Sequence, residues 1–291
     1  MNIESFSGAA TVALASTVLF VLVAKSWHVI TKSVGSAPNF SDSIMREAAQ
    51  RFRDEFDRLS RSQSTYLSAA LVFVVVLIAA YILRADRIFS GYPQWQLILL
   101  VGLLAVAAIV ALQRLIRTAM ARREIKLRRD ANIAIGHQLQ RMANGIGRTY
   151  HDVETSAGII DHLIVGPNGT YAVTVIAKPA QKNGEVEIHN NEVIFSPRPQ
   201  KVSIVPTNAR IASIEREFRR LLDHRVRVRS VIATPGWEVT GQASDEHLLV
   251  NERSLPMLRG WKDRADHLMN EDVDALHQLL TERCGISDRK R

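Results

Sequence analysis

The chain has 291 residues, nine prolines and a single cysteine, Cys284. One cysteine rules out an intramolecular disulfide framework and a structural zinc site built on cysteines. The net charge of +8 is unevenly placed: residues 1–129 carry 16 Lys and Arg against 8 Asp and Glu, while residues 130–291 carry 21 of each. The high isoelectric point therefore reports the flanks of the apolar N-terminal segments and is not by itself a mark of nucleic-acid binding.

Residues 5–24 are uncharged but interrupted by Ser5, Ser7, Thr11, Ser16 and Thr17. A cleaved signal peptide would want a basic start, and the chain begins Met1-Asn2-Ile3-Glu4, so an uncleaved span is expected. Next, Ile44, Ala48, Phe52, Phe56 and Leu59 recur at helical spacing, with Arg51–Glu55 and Asp54–Arg58 as i,i+4 pairs. This predicts an amphipathic helix near 43–61 that lies on a membrane leaflet, packs on the following domain, or is solvated with one covered face. Residues 62–83 and 88–113 carry no charge and contain the apolar runs 67–83 and 97–112, with Tyr66, Tyr81, Tyr92 and Trp95 near their ends. About 20 apolar residues cross a bilayer, and aromatic rings favour its interface. With Arg84, Asp86, Arg87, Gly91 and Pro93 between them, the two runs read as a transmembrane hairpin; a buried soluble hairpin is the rival.

Lys and Arg number seven in residues 25–61, seven in 114–129 and two in 84–87. The positive-inside rule then predicts a multi-pass inner-membrane protein with spans near 5–24, 64–83 and 95–113. The N-terminus is outside if there are three spans, and the remaining domain is cytoplasmic. Residues 114–129 form a basic juxtamembrane helix suited to anionic lipid headgroups.

Beyond it, Ile135, Leu139 and Met142 form one stripe of a helix closed by Gly145 and Gly147. Extended patterns follow at 159–165 and 171–177, separated by the turn Gly166-Pro167-Asn168-Gly169. Segments 186–188 and 193–195 flank Asn190-Asn191 as a hairpin. Ile211, Ile214, Phe218 and Leu222 share a face of a helix starting near Pro206. Strands at 226–233 and 248–250 precede a last helix, capped by Asn270 and closed by Gly285. The order predicts transmembrane helices followed by an α/β domain with a central mixed sheet.

The stretch 158–173, with Asp161-His162 ahead of the Gly166–Gly169 turn and Tyr171-Ala172-Val173 behind it, resembles the core of the nuclease-related domain (NERD). That family is placed in the restriction-endonuclease-like PD-(D/E)XK superfamily. The resemblance covers roughly residues 130–250 and leaves 251–291 as a C-terminal helical extension. In active members it implies metal-dependent phosphodiester cleavage. An Asp and the Glu of a Glu-x-Lys motif hold a divalent cation, usually Mg2+, and the Lys positions the attacking water.

The chain departs from that pattern. Counted without a gap, the family's Glu falls on Thr174 and its Lys on Ile176; with two extra residues the Lys becomes Lys178 and the Glu becomes Ile176. Asp161 is then the remaining metal ligand, and Asp161 with Lys178 is what remains of the catalytic set. Asp152, Glu154, Glu185 and Glu187 are the carboxylates from which a relocated ligand could come.

His162 could touch a metal or phosphate, or satisfy a local hydrogen bond. No HExxH, GxGxxG, P-loop or GxSxG pattern occurs, which removes support for zinc, dinucleotide, P-loop and serine-hydrolase chemistry. Residues 196–229 hold nine Lys and Arg against three acids. Among them, Arg216, Arg219 and Arg220 fall on the predicted helix, and Arg225, Arg227 and Arg229 alternate along the predicted strand. They could follow a phosphate backbone, face an anionic leaflet, or guard a sheet edge. Three functions follow as expectations. The first is a degenerate nuclease-related domain that binds DNA, RNA or a protein partner at the membrane. The second is an active Mg2+-dependent nuclease tethered there. The third is a membrane scaffold that binds no nucleic acid.

Overall fold

A computed structural model describes residues 13, 15–23, 26, 45–82, 94–240, 246–261 and 263–285. They fall into two compact units, one comprising residues up to 38 together with 55–124, the other residues 39–54 and 125–291.

The first unit is helical. Helix α1 (Gln50–Ile82) contributes its residues from Glu55 onward, and helix α2 (Gln94–Ile146) its residues up to Glu124. Arg122 donates to Gln63 Oε1 at 2.8 Å, and its guanidinium lies 4.8 Å from the centre of the Phe56 ring. Several apolar side chains here, Leu71 and Val106 among them, are exposed.

The transmembrane part of the expected fold is overturned. Among the described residues no helix is long and apolar enough to cross a membrane. Over the described residues the apolar run of α1 covers 67–82, and that of α2 covers 97–112, where Gln113 and Arg114 follow. At 1.5 Å per residue each covers about 24 Å, short of the ~30 Å hydrocarbon core. The multi-pass inner-membrane localisation falls with the spans, because the distribution of positive charge orients only segments that cross. Most of 5–24 and the 84–93 link lie outside the described residues.

The separate amphipathic helix expected at 43–61 also changes. Helix begins at Gln50 and continues unbroken through Ile82, and Arg51 pairs elsewhere than with Glu55.

The second unit is α/β. Its main sheet has the order β1-β2-β3-β7-β9, from β1 (Arg148–Thr155), β2 (Gly158–Gly166), β3 (Gly169–Val175), β7 (Val228–Ala233) and β9 (His247–Val250). The first three strands are antiparallel, and β3, β7 and β9 are parallel, so the sheet is mixed as expected. Strands β4 (Glu185–His189), β5 (Glu192–Ser196), β6 (Gln200–Ser203) and β8 (Glu238–Val239) form a second sheet, ordered β6-β5-β4-β8. Asn190 and Asn191 turn the β4–β5 hairpin with positive φ, a conformation Asn tolerates.

Helices cover both faces of the main sheet. On one, Ile211, Ile214 and Phe218 of α3 (Val205–Leu222) and Leu276 and Leu280 of α4 (Asn270–Cys284) pack on Tyr150, Leu163 and Ala172. On the other, Ile135, Leu139 and Met142 of α2 pack on Ile164, Tyr171 and Val173. Burial from both sides explains why β3 is buried along its length rather than at alternate residues. Helix α4, expected as an appendage, thus fills a face of the main core. Met269 rather than Asn270 is its N-cap, without a side-chain cap bond.

Candidate functional site

The site forms where β1 and β2 run antiparallel. His151 pairs with His162 and Val153 with Ile160, which sets Asp152 opposite Asp161. Both carboxylates are buried. Asp152 has φ of 50°, and its carbonyl accepts from Arg46 Nη1 at 2.9 Å. Two apposed anions in a sheet repel each other, so something must neutralise them.

Arg51 does so. Its Nη2 lies 2.5 Å from Asp161 Oδ1, and its Nε is 3.3 Å from Asp152 Oδ1. Its backbone N–H donates to Asp152 Oδ2 at 3.2 Å. Asp161 Oδ2 in turn accepts the N–H of Val175 at 2.8 Å, which ties the carboxylate to the end of β3. Burial pushes both carboxyls above the ordinary range, while Arg51 opposes that shift at each, as does the Val175 N–H at Asp161.

Beside the carboxylates, His151 Nδ1 and His162 Nδ1 are 2.8 Å apart, with rings edge to face. One nitrogen must donate and the other accept, so the pair cannot be doubly protonated without breaking this bond. Burial lowers His151 to about 4 and drives His162 well below its usual value; His151 and Arg51 add to the latter. His162 thus answers to a local hydrogen bond, the plainer of its two expected uses.

The other expected residues scatter. Thr174, the gap-free candidate for the expected Glu position, continues the β2–β3 register opposite Asp161 and is buried, while Ile176, the other candidate, follows the end of β3. Lys178 falls beyond the end of β3, where its carbonyl accepts from Trp237 Nε1 at 3.3 Å. Glu154 pairs with Arg46 at 3.0 Å, and Glu185 and Glu187 belong to β4 of the second sheet. Among the described residues, Asp152 is the carboxylate brought beside Asp161. Among the described residues no group of three or more His, Cys, Asp or Glu side chains could hold a metal ion. The residues therefore do not fit the divalent cation that the resemblance implies, since the two carboxylates present are already engaged by a guanidinium.

The arginine cluster divides. Arg216, Arg219 and Arg220 are exposed on α3, and Arg225 and Arg227 are exposed ahead of β7. Strand β7 begins only at Val228, so of the three only Arg229 lies on it, although exposed arginines and buried valines do alternate from Arg225 to Val228. Arg229 is committed elsewhere: it donates from Nε to Asp266, pairs with Asp263 at 3.4 Å, and stacks on Trp261 at 4.8 Å, with its side chain 10% exposed.

Sequence reasoning missed Arg51 and His151. Arg51 has an ordinary helical partner in Glu55, and its true partners lie 101 and 110 positions away. His151 stands at the predicted start of extended structure, where only its pairing register gives it meaning.

The chain matches no family model, and no curated protein and no solved structure is similar to it.

Proposed function

We propose that the α/β unit is a nuclease-related module that binds nucleic acid without cleaving it. The observation that carries this reading is Arg51: its guanidinium bridges Asp152 and Asp161, the two carboxylates that the described residues bring together at the nuclease-like position. Hydrolysis of a phosphodiester by metal catalysis needs a cation with open positions to polarise phosphate and activate water. A guanidinium held by two carboxylates offers neither, and Thr174 supplies no third oxygen anion.

The binding half of the reading rests on the exposed arginines. Arg216 lies three and four residues before Arg219 and Arg220, so the three share one face of α3. With Arg225 and Arg227 they offer five exposed guanidiniums that can contact phosphate oxygens without reading bases.

The test is a gel-shift titration of the full chain with duplex DNA and with single-stranded RNA at low salt. A shift that weakens in Arg219→Glu/Arg220→Glu is expected, with plasmid left intact in Mg2+. No shift with either nucleic acid sinks the binding half and leaves a protein-docking domain; cleavage that vanishes in Asp161→Asn sinks the silent half.

A further inference from the structure

Helix α3 carries three arginines on its outer surface, while its acids are taken up by other elements. Glu215 accepts the Val228 N–H at 2.8 Å, and Glu217 pairs with Arg283 of α4 at 2.6 Å. Ile211, Ile214 and Phe218 fix the helix on the sheet. Arg216, Arg219 and Arg220 stay exposed, and among the described residues none of them pairs with an acid. The strip continues past the helix. Asp223 takes φ of 59°, and its N–H donates to the Arg219 carbonyl at 3.0 Å, which turns the chain. Val226 and Val228 are then buried in the cluster that holds Phe218, so Arg225 and Arg227 project to solvent. His224 meets Asp272 at 3.1 Å, which places the acidic start of α4, Glu271 and Asp272, along one border.

The strip is offset from the carboxylates. Arg210, the α3 residue whose charge bears on Asp161, donates to the Ile159 carbonyl at 3.0 Å. At 1.5 Å per residue, Arg216 to Arg220 lie about 9–15 Å farther along the helix. The chemistry of the strip narrows its ligand. Single-stranded nucleic acid is held largely by aromatic rings on which bases stack. Among the described residues of the α/β unit, Phe52, Tyr150, Tyr171, Phe195, Phe218 and Trp237 are buried, and the Arg229 guanidinium lies over Trp261 at 4.8 Å. Residues 215–229 contain no Asn or Gln to pair with an adenine edge. What remains is positive charge on a fixed frame. That suits a duplex, whose two backbones present phosphates at close, regular intervals.

We infer that the strip from Arg216 to Arg227 docks a nucleic-acid duplex by its phosphates, away from the Asp152–Asp161 site, and discriminates against single strands. This rests on the nucleic-acid reading above and narrows it to one class of ligand and one surface. The phosphate chemistry is shared by DNA and RNA duplexes, which the experiment separates.

The experiment follows the full chain by fluorescence anisotropy against labelled probes of equal length: duplex DNA, duplex RNA and a single strand of each, in rising salt. At least one duplex is expected to bind at least tenfold more tightly than its own single strand. The slope of log affinity against log salt for duplex DNA should be roughly −4.5, from about five phosphate contacts. A gap between the two duplexes identifies the better source, and the inference stands with either. Arg219→Glu/Arg220→Glu should lose at least tenfold on the preferred duplex. Lys182→Glu/Lys201→Glu, the same change of charge at exposed side chains elsewhere on the α/β unit, should stay within twofold. Equal losses in the two double variants overturn the strip as the surface. Single strands bound as tightly as the duplexes overturn the inference and leave the broader nucleic-acid reading standing, whereas no binding to any probe overturns both.

Discussion

Arg51 and Asp161 stand 110 positions apart in sequence and 2.5 Å apart in space. The contact joins the first turn of α1 to the second strand of the sheet. Removing the guanidinium leaves two carboxylates apposed and buried, and breaking a buried pair costs more than the pair contributes. Arg51→Ala should destabilise the chain by roughly 2–4 kcal/mol in urea unfolding. Adding Asp161→Asn should recover part of that loss, with a coupling of about 1–3 kcal/mol in the double-mutant cycle. Additive losses would show that the two residues do not share one interaction.

The buried histidine pair sets a pH dependence. His151 titrates near 4 when folded against about 6.5 when unfolded, so the unfolded chain binds the extra proton first. Its contribution is complete above pH ~6.5 and is lost as pH falls toward ~4, reaching roughly 3 kcal/mol across the window. His162 shifts in the same direction. Thermal unfolding from pH 8 to 4 should show this fall, and His151→Gln should flatten it.

Two glycines should respond differently to alanine. At Gly147, φ is +134° and a Cβ would meet the Val165 carbonyl oxygen at 2.2 Å, an obstacle made of backbone. Gly147→Ala should cost about 3 kcal/mol or more, from strain and collision together. At Gly136 no positive φ is involved and the obstacle is the Ala48 Cβ at 2.5 Å, so Gly136→Ala should cost less, about 1–3 kcal/mol, from the collision alone. Hydrogen exchange should locate the second change at residues 45–54.

The arginines should separate by role. Arg229 is locked by Asp263, Asp266 and Trp261, so Arg229→Ala should lower stability by roughly 1–3 kcal/mol and leave the salt dependence of nucleic-acid binding unchanged. Arg219→Ala and Arg220→Ala should do the reverse, each lowering the slope of log affinity against log salt by about 1. Equal slopes for all three would remove α3 from the interface.

Leu280 is fully buried beside Tyr150, Leu163 and Phe218. Leu280→Ala should therefore destabilise by about 2–5 kcal/mol, the range for a core truncation, rather than behave as a change in an appended helix.

Much of the α/β unit was legible from pattern. Ile135, Leu139 and Met142 marked a helical stripe, the Gly166–Gly169 turn marked a hairpin, and Asn190-Asn191 marked another. These signals are local: helix and strand periods and turn chemistry act within a few residues. The hydropathy of residues 62–113 misled because an uncharged stretch is not the same as a continuous apolar helix of spanning length. The arginines at 225–229 do alternate with buried valines, but the strand starts only at Val228 and Arg229 is taken by Asp263 and Asp266, which no local pattern shows.

The sequence by itself determined the order of elements in the α/β unit and the turns between them, since each is written in consecutive residues. Only the tertiary structure decided that Asp152 stands opposite Asp161, that two histidines share a buried bond, and that Arg51 holds the carboxylate pair. Those relations join residues up to 110 positions apart. Burial and strand register create them, and no local pattern records which distant charge will be brought to a buried anion.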